Sequence, residues 1–231
     1  MTPRERLIVA LDSPGRAEAL ALVDRLSGRA GMFKVGSRLF TAAGPELVRE
    51  LVARGEKVFL DLKYHDIPDV VAAAVGEAAR LGVSLLDVHA LGGPAMMEAA
   101  VGALPALGTR LLAVTILTSH EQPDLDHVGI GGPLAESVRR LAGLAKASGV
   151  DGVVASPREA GLLREACGPG FLIVTPGIRP AGARAGDQAR AATPAAALAA
   201  GADYLVVGRP ITEAPDPLGA LEAIVREMEA V

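Results

Sequence analysis

Val58-Phe59-Leu60-Asp61-Leu62-Lys63-Tyr64-His65-Asp66-Ile67-Pro68 sets an apolar run directly against a block of ionisable side chains, and a proline closes it. Side chains on a strand alternate faces, so Phe59, Asp61 and Lys63 share one face while Val58, Leu60 and Leu62 share the other. A strand that is apolar along one whole face and charged only at its C-terminal end fits a sheet covered by helices, with strand ends opening onto a site. A carboxylate beside an ammonium sets that partner's protonation state, which suits chemistry better than core packing.

Short β-type runs recur along the chain with helical segments between them. The strands are expected at Leu7–Asp12, Met32–Gly36, Lys57–Lys63, Leu85–Ala90, Arg110–Leu117, Gly152–Ser156, Phe171–Gly177 and Tyr204–Arg209. The helices are expected at Arg16–Arg29, Pro45–Arg54, Pro68–Leu81, Pro94–Leu104, Pro133–Ser148, Pro157–Ala166, Thr193–Ala200 and Pro217–Glu229. Proline at the first helical position lacks an N–H that would be unsatisfied anyway. Gly55, Gly82, Gly149 and Gly201 follow helices, as left-handed C-caps require. Eight such units predict an α/β fold of the (β/α)8 TIM-barrel type, one domain spanning 1–231. The rival, an open doubly wound sheet, lacks its Gly-rich turn: the first strand ends Leu11-Asp12-Ser13-Pro14.

In such a barrel the active site lies at the C-terminal strand ends. Those ends bring together Asp12, Lys34, Asp61 with Lys63, Asp87 with His89, Thr118, Ser156, Arg179, and Gly208 with Arg209. Parity is consistent across the first three strands. Ile8, Ala10 and Asp12 share a face, as do Met32, Lys34 and Gly36, leaving Leu7, Val9, Leu11, Phe33 and Val35 for the helices. A buried salt-bridge network is the alternative for any one of these charges. Desolvating them all at three adjacent strand ends favours function. Asp87 and His89 read as a structural pair or as supporting contacts behind the site, and His65, of opposite parity to Lys63, as structural or interfacial.

The 231 residues are half hydrophobic but only 3% aromatic, so Ala, Val, Leu and Ile must build the core. A formal charge of −4 without a basic run argues against nucleic acid, and no basic amphipathic helix points to a membrane surface. The apolar run Leu7–Leu11 is too short for a signal sequence, and no stretch reaches spanning length. Cys167 is the one cysteine, so a reducing cytoplasm is expected. No His/Cys/carboxylate spacing suggests zinc.

The octet Asp61–Pro68 resembles the signature of the orotidine 5′-phosphate decarboxylase family. Further pieces match in order: Leu7–Asp12, Phe33-Lys34-Val35-Gly36, Val88-His89-Ala90 with Gly92-Gly93, Leu117-Thr118-Ser119, Thr175–Pro180, Asp187-Gln188-Ala189-Arg190 and Val207–Thr212. The resemblance implies conversion of orotidine 5′-phosphate to uridine 5′-phosphate in pyrimidine biosynthesis, with no metal and no organic cofactor. It implies a catalytic tetrad of Lys34, Asp61, Lys63 and Asp66, with Lys63 protonating C6. It further implies a homodimer in which Asp66 and Ile67 reach the partner subunit's site. Asp12 would bind a ribose hydroxyl, as would Lys34, and Thr118 the pyrimidine. Gly208 and Arg209 would hold the phosphate. Arg179 and Gln188 belong to the long segment 178–194, expected to act as a lid over the phosphate. One departure is Val70, where the family commonly has a threonine that helps hold the ribose. The alternatives are a magnesium-dependent sugar-phosphate decarboxylase or hexulose-phosphate synthase, which share the Asp-x-Lys-x-x-Asp core, and a non-catalytic phosphate-binding barrel.

Overall fold

Eight short, largely apolar runs pair as parallel strands and close on themselves. They are β1 (Leu7–Ala10), β2 (Met32–Gly36), β3 (Val58–Tyr64), β4 (Leu85–His89), β5 (Arg110–Val114), β6 (Gly152–Val154), β7 (Leu172–Thr175) and β8 (Tyr204–Val207). The computed structural model describes residues 1–106, 108–180 and 190–230. The strands run in sequence order around a closed barrel, with β1 paired to β8.

The helices are α1 (Arg16–Leu26), α2 (Ser37–Ala53), α3 (Pro68–Ala79), α4 (Gly93–Gly102), α5 (Gln122–His127), α6 (Leu134–Ala147), α7 (Ala160–Cys167), α8 (Pro194–Ala199), α9 (Arg209–Thr212) and α10 (Pro217–Glu229). Each long helix buries one stripe. On α6, Val138, Leu141, Ala142 and Ala145 fall at helical spacing and are buried.

Alternation sorts the apolar residues into two layers, as the sequence implied. Leu7, Val9, Leu11, Phe33, Val35, Val58 and Leu60 pack outward in the core beneath the helices. Ile8, Ala10, Met32, Phe59, Leu85, Leu112, Val114, Val154, Val174, Tyr204 and Val206 fill the barrel interior. At the opposite, N-terminal face, charges serve the scaffold: Arg164 Nη2 donates to Asp203 Oδ2 at 2.6 Å, and that oxygen accepts the Ile173 N–H.

Several element boundaries differ from expectation. Helix α2 begins at Ser37, eight residues before the expected Pro45. Gly44 (φ 68°, ψ −175°) breaks it just ahead of Pro45, so the proline starts a second helical stretch and not the element itself. Strands β5, β6, β7 and β8 end two or three residues earlier than their apolar runs; Ile116 and Ala155, beyond the ends of β5 and β6, are buried all the same, so the runs report burial and not strand length. Helix α5 forms in a polar stretch where apolar periodicity predicts none. Its capping box pairs the Glu121 side chain with the Asp124 backbone and the Asp124 side chain with the Glu121 N–H. Among the described residues, no helix is long and apolar enough to cross a membrane.

Candidate active site

The C-terminal mouth of the barrel opens into a pocket of about 270 Å³. Its walls include Asp12, Lys34, Asp61, Lys63, Thr118, Arg179, Gly208 and Arg209, with Ala10, Phe59 and Val206 as its floor. Eight of the residues singled out from sequence therefore meet at one site.

Strand pairing brings the charges into range. Ala10 lies opposite Lys34, and Gly36 opposite Asp61. Lys34 Nζ sits 3.0 Å from Asp61 Oδ2 and 3.7 Å from Asp12 Oδ1, and Lys63 Nζ closes an ion pair with Asp61 Oδ1. Asp61 thus stands between two ammonium groups. Burial alone would push its carboxyl up, but Lys34, a hydrogen bond with Asp87, and Lys63 outweigh burial and hold Asp61 well below the ordinary carboxylate range. Burial likewise opposes the charge of Lys34, yet Asp61 and Asp12 raise its pKa above that of a free lysine. Both groups are charged at neutral pH.

Lys63 reaches this position by a route that simple alternation does not describe. Its φ is 52°, the one positive value among described non-glycine residues. The β3–β4 register shifts between Leu60 and Tyr64, so the strand bulges just where its charges gather. The Lys63 backbone N–H donates to Asp87 Oδ1 at 2.8 Å. Of the two readings the sequence left for Asp87, a structural pair with His89 or a supporting contact behind the site, the structure shows the second: it supports Lys63. His89 stacks on His65, with ring centroids 5.5 Å apart. Burial first, then His65 and Lys63, depress the His89 pKa to about 4, so it is neutral at physiological pH.

On the far wall Arg179 and Arg209 face the same pocket. Burial and the neighbouring Arg209 charge both lower the pKa of Arg179, so two guanidiniums sit close enough to repel. Gly208 precedes the single turn of α9 at Arg209, and a Cβ on Gly208 would come within 3.6 Å of Asp12 Oδ2.

Asp66 and Ile67 are exposed and do not line the pocket of their own chain; Asp66 Oδ1 accepts the Ile67 N–H at 2.7 Å. Gln188 lies outside the described residues. Sequence reading missed Arg190 and Glu159 as a pair. Both are buried, with Arg190 Nη1 2.8 Å from Glu159 Oε1, and Arg190 Nη2 donates to the carbonyl of Leu117, next to Thr118. Two opposite charges in the segments after β6 and β7 were the available signal.

The fold and site define a (β/α)8 barrel whose C-terminal mouth sets a lysine–aspartate cluster opposite a pair of arginines. Residues 5–224 match the model of the orotidine 5′-phosphate decarboxylase / HUMPS family. A protein of Halorhodospira halophila named orotidine 5′-phosphate decarboxylase is 59% identical over 227 residues, covering 97% of this chain and 96% of its own. One of that name from Geobacter sulfurreducens is 57% identical, covering 98% and 97%. The crystal structure of orotidine 5′-phosphate decarboxylase from Lactobacillus acidophilus superposes with a TM-score of 0.85 at 42% identity, over 96% of this chain and 98% of that one. The chain belongs to the orotidine 5′-phosphate decarboxylase family.

Proposed function

We propose that this protein converts orotidine 5′-phosphate to uridine 5′-phosphate through its own side chains, without metal or organic cofactor. The observation that carries the reading is the Lys34–Asp61–Lys63 array at the mouth of the barrel, with Lys34 and Asp61 buried and Lys63 half-buried. The family includes enzymes of a second kind, so membership alone does not select the reaction; the near-full-length relatives at 57–59% identity support the decarboxylase.

The chemistry required is electrostatic. As the C6–carboxylate bond breaks, carbon dioxide leaves and the electron pair stays on C6, which no adjacent carbonyl stabilises well. The Lys63 ammonium stabilises that developing charge and then transfers a proton to C6; solvent later reprotonates the amine. A cation already fixed in place acts without reorganising when the charge appears. Asp61, held ionised by Lys34 and Lys63, lies beside the departing carboxylate, and like-charge crowding relaxes as carbon dioxide forms. Lys34 and Asp12 bind ribose hydroxyls, and Thr118 contacts the pyrimidine.

Arg179, Arg209 and the backbone at Gly208 receive the phosphate, which relieves the repulsion between the guanidiniums. Binding energy gained at the phosphate is then available at C6. Gln188 bridges phosphate and base from the segment that follows Arg179.

The functional unit is a homodimer in which Asp66 and Ile67 enter the partner's pocket. The exposure of Ile67 (64%), Val70 (48%) and Leu91 (44%), in the segments after adjacent strands β3 and β4, supports an apolar contact there. The enzyme acts in the cytoplasm.

The test is incubation with orotidine 5′-phosphate, following the loss of its ultraviolet absorbance with and without a chelator. Decarboxylation unaffected by the chelator is expected. Activity lost on chelation points to the magnesium-dependent chemistry of the hexulose-phosphate synthases instead, and no absorbance change at micromolar enzyme overturns the assignment.

A further inference from the structure

Asp87 occupies the middle of β4 with no solvent exposure at all. One of its oxygens, Oδ1, accepts the Lys63 N–H at 2.8 Å. That bond holds the one described non-glycine residue in the left-handed backbone region, at the bulge where β3 and β4 lose register. A lysine adopts this region only when its surroundings over-determine it. The other oxygen, Oδ2, finds no partner if the group is ionised. Orphaned buried oxygens are rare in folded chains and call for an explanation.

The neighbours supply one. The groups that interact electrostatically with Asp87 are Asp61, Lys63, Lys34 and Tyr64. Burial first, and then the Asp61 charge, push the Asp87 carboxyl well above its ordinary range, while a hydrogen bond between the two carboxyls lowers Asp61. Two carboxyls this close in a buried site share one negative charge. Asp61, flanked by two ammonium groups, keeps it. A proton on Asp87 then turns the orphaned acceptor into a donor for Asp61.

We propose that Asp87 is a positioning residue, a neutral carboxylic acid that fixes Lys63 by its backbone N–H and orients Asp61 through a donated O–H. It touches no reacting atom. It sets the direction in which the Asp61–Lys63 pair meets the substrate, and so rests on the decarboxylase reading given above.

Asparagine offers the same two contacts, a carbonyl for the Lys63 N–H and an N–H for Asp61. Leucine, of similar size, offers neither. Asp87→Leu is expected to lower kcat by about 100-fold, the scale on which misplacement of a reacting group by an ångström acts, with KM changed only a few-fold. Asp87→Asn is expected to rescue turnover to within about threefold of the parent enzyme, the scale of one altered hydrogen bond.

A spectroscopic readout stands apart from turnover. The infrared difference spectrum of the parent protein minus Asp87→Asn at neutral pH should contain the carbonyl stretch of a protonated carboxylic acid. Absence of that band, turnover of Asp87→Leu equal to the parent, or an Asp87→Asn variant as impaired as Asp87→Leu would each overturn the proposal. If Asp87→Leu does not fold, the band and the Asp87→Asn kinetics decide. If the parent protein fails to decarboxylate, the functional reading fails, and the band still reports whether Asp87 holds a proton.

Discussion

Replacing Lys34 by methionine removes a cation and keeps most of its volume, so it isolates the electrostatics of the site. The Lys34 side chain is only 11% exposed, and its Nζ lies 3.0 Å from Asp61 Oδ2. At an effective dielectric of about 20, a pair at that distance attracts by roughly 5 kcal/mol before desolvation is counted. Breaking a buried pair by removing one partner costs about 3–5 kcal/mol. The low end applies here, because Lys63 remains bound to Asp61. A loss of about 3 kcal/mol corresponds to a drop in Tm of roughly 6–12 °C for a chain of this size.

The loss should depend on pH in a defined sense. Asp61 has a depressed carboxyl pKa in the folded protein, so the stability it contributes is present above the unfolded-state value and lost as pH falls through the folded one. The Tm gap between parent and Lys34→Met should therefore be full at neutral pH and shrink in acid. With Lys34 gone, burial raises the Asp61 carboxyl, and the acid limb of the kcat profile should move toward neutrality. Thermal melts from about pH 3 to 8 and initial rates over the same range read both effects. A Lys34→Met protein that melts with the parent at neutral pH and keeps its acid limb would refute the assignment of Lys34 as the group that keeps Asp61 ionised.

Arg209→Ala should weaken uridine 5′-phosphate binding by about 10- to 100-fold, the worth of a charged hydrogen bond, and leave uridine binding unchanged in calorimetry. Equal losses for both ligands would place the phosphate elsewhere. Mixing inactive Asp66→Ala and Lys63→Ala chains should restore about a quarter of parental activity, since half of randomly formed dimers carry one complete site; a mixture that stays inactive argues that Asp66 serves its own chain. Glu159→Gln leaves the buried Arg190 charge without its partner, and denaturant unfolding should show a loss of about 3–5 kcal/mol. A loss below about 1 kcal/mol would mean that solvent reaches Arg190.

Much of this architecture can be read from periodicity, and particular residues show where that reading stops. The inward and outward faces of β1–β3 follow from strict alternation, which is why Lys34 and Asp61 could be assigned to one mouth. Alternation also puts Lys63 on that face. In the structure it arrives there through a left-handed residue and a bulge, which a two-residue period cannot encode. The sequence leaves Asp87 between a pair with His89 and a supporting contact for the same reason: the choice depends on the backbone N–H of a residue on the neighbouring strand, and backbone partners leave no mark on side-chain patterning. The Gly44-Pro45 pair looks like the start of a helix when it is a break within one. Apolar runs overshoot the strands because hydrophobicity reports burial, and Ile116 is buried beyond the end of β5. The roles proposed for Asp66 and Ile67 call for a second chain, so neither this sequence nor one subunit's geometry defines their contacts.

The proposed function turns on proton donation to C6 by the Lys63 ammonium. The most direct measurement compares parent protein and Lys63→Ala for turnover of orotidine 5′-phosphate and for binding of uridine 5′-phosphate. Loss of the proton donor and of its charge should lower kcat by more than about 10⁴-fold while product binding persists within about tenfold. Turnover by Lys63→Ala at a rate comparable to the parent would show that Lys63 is not the proton donor.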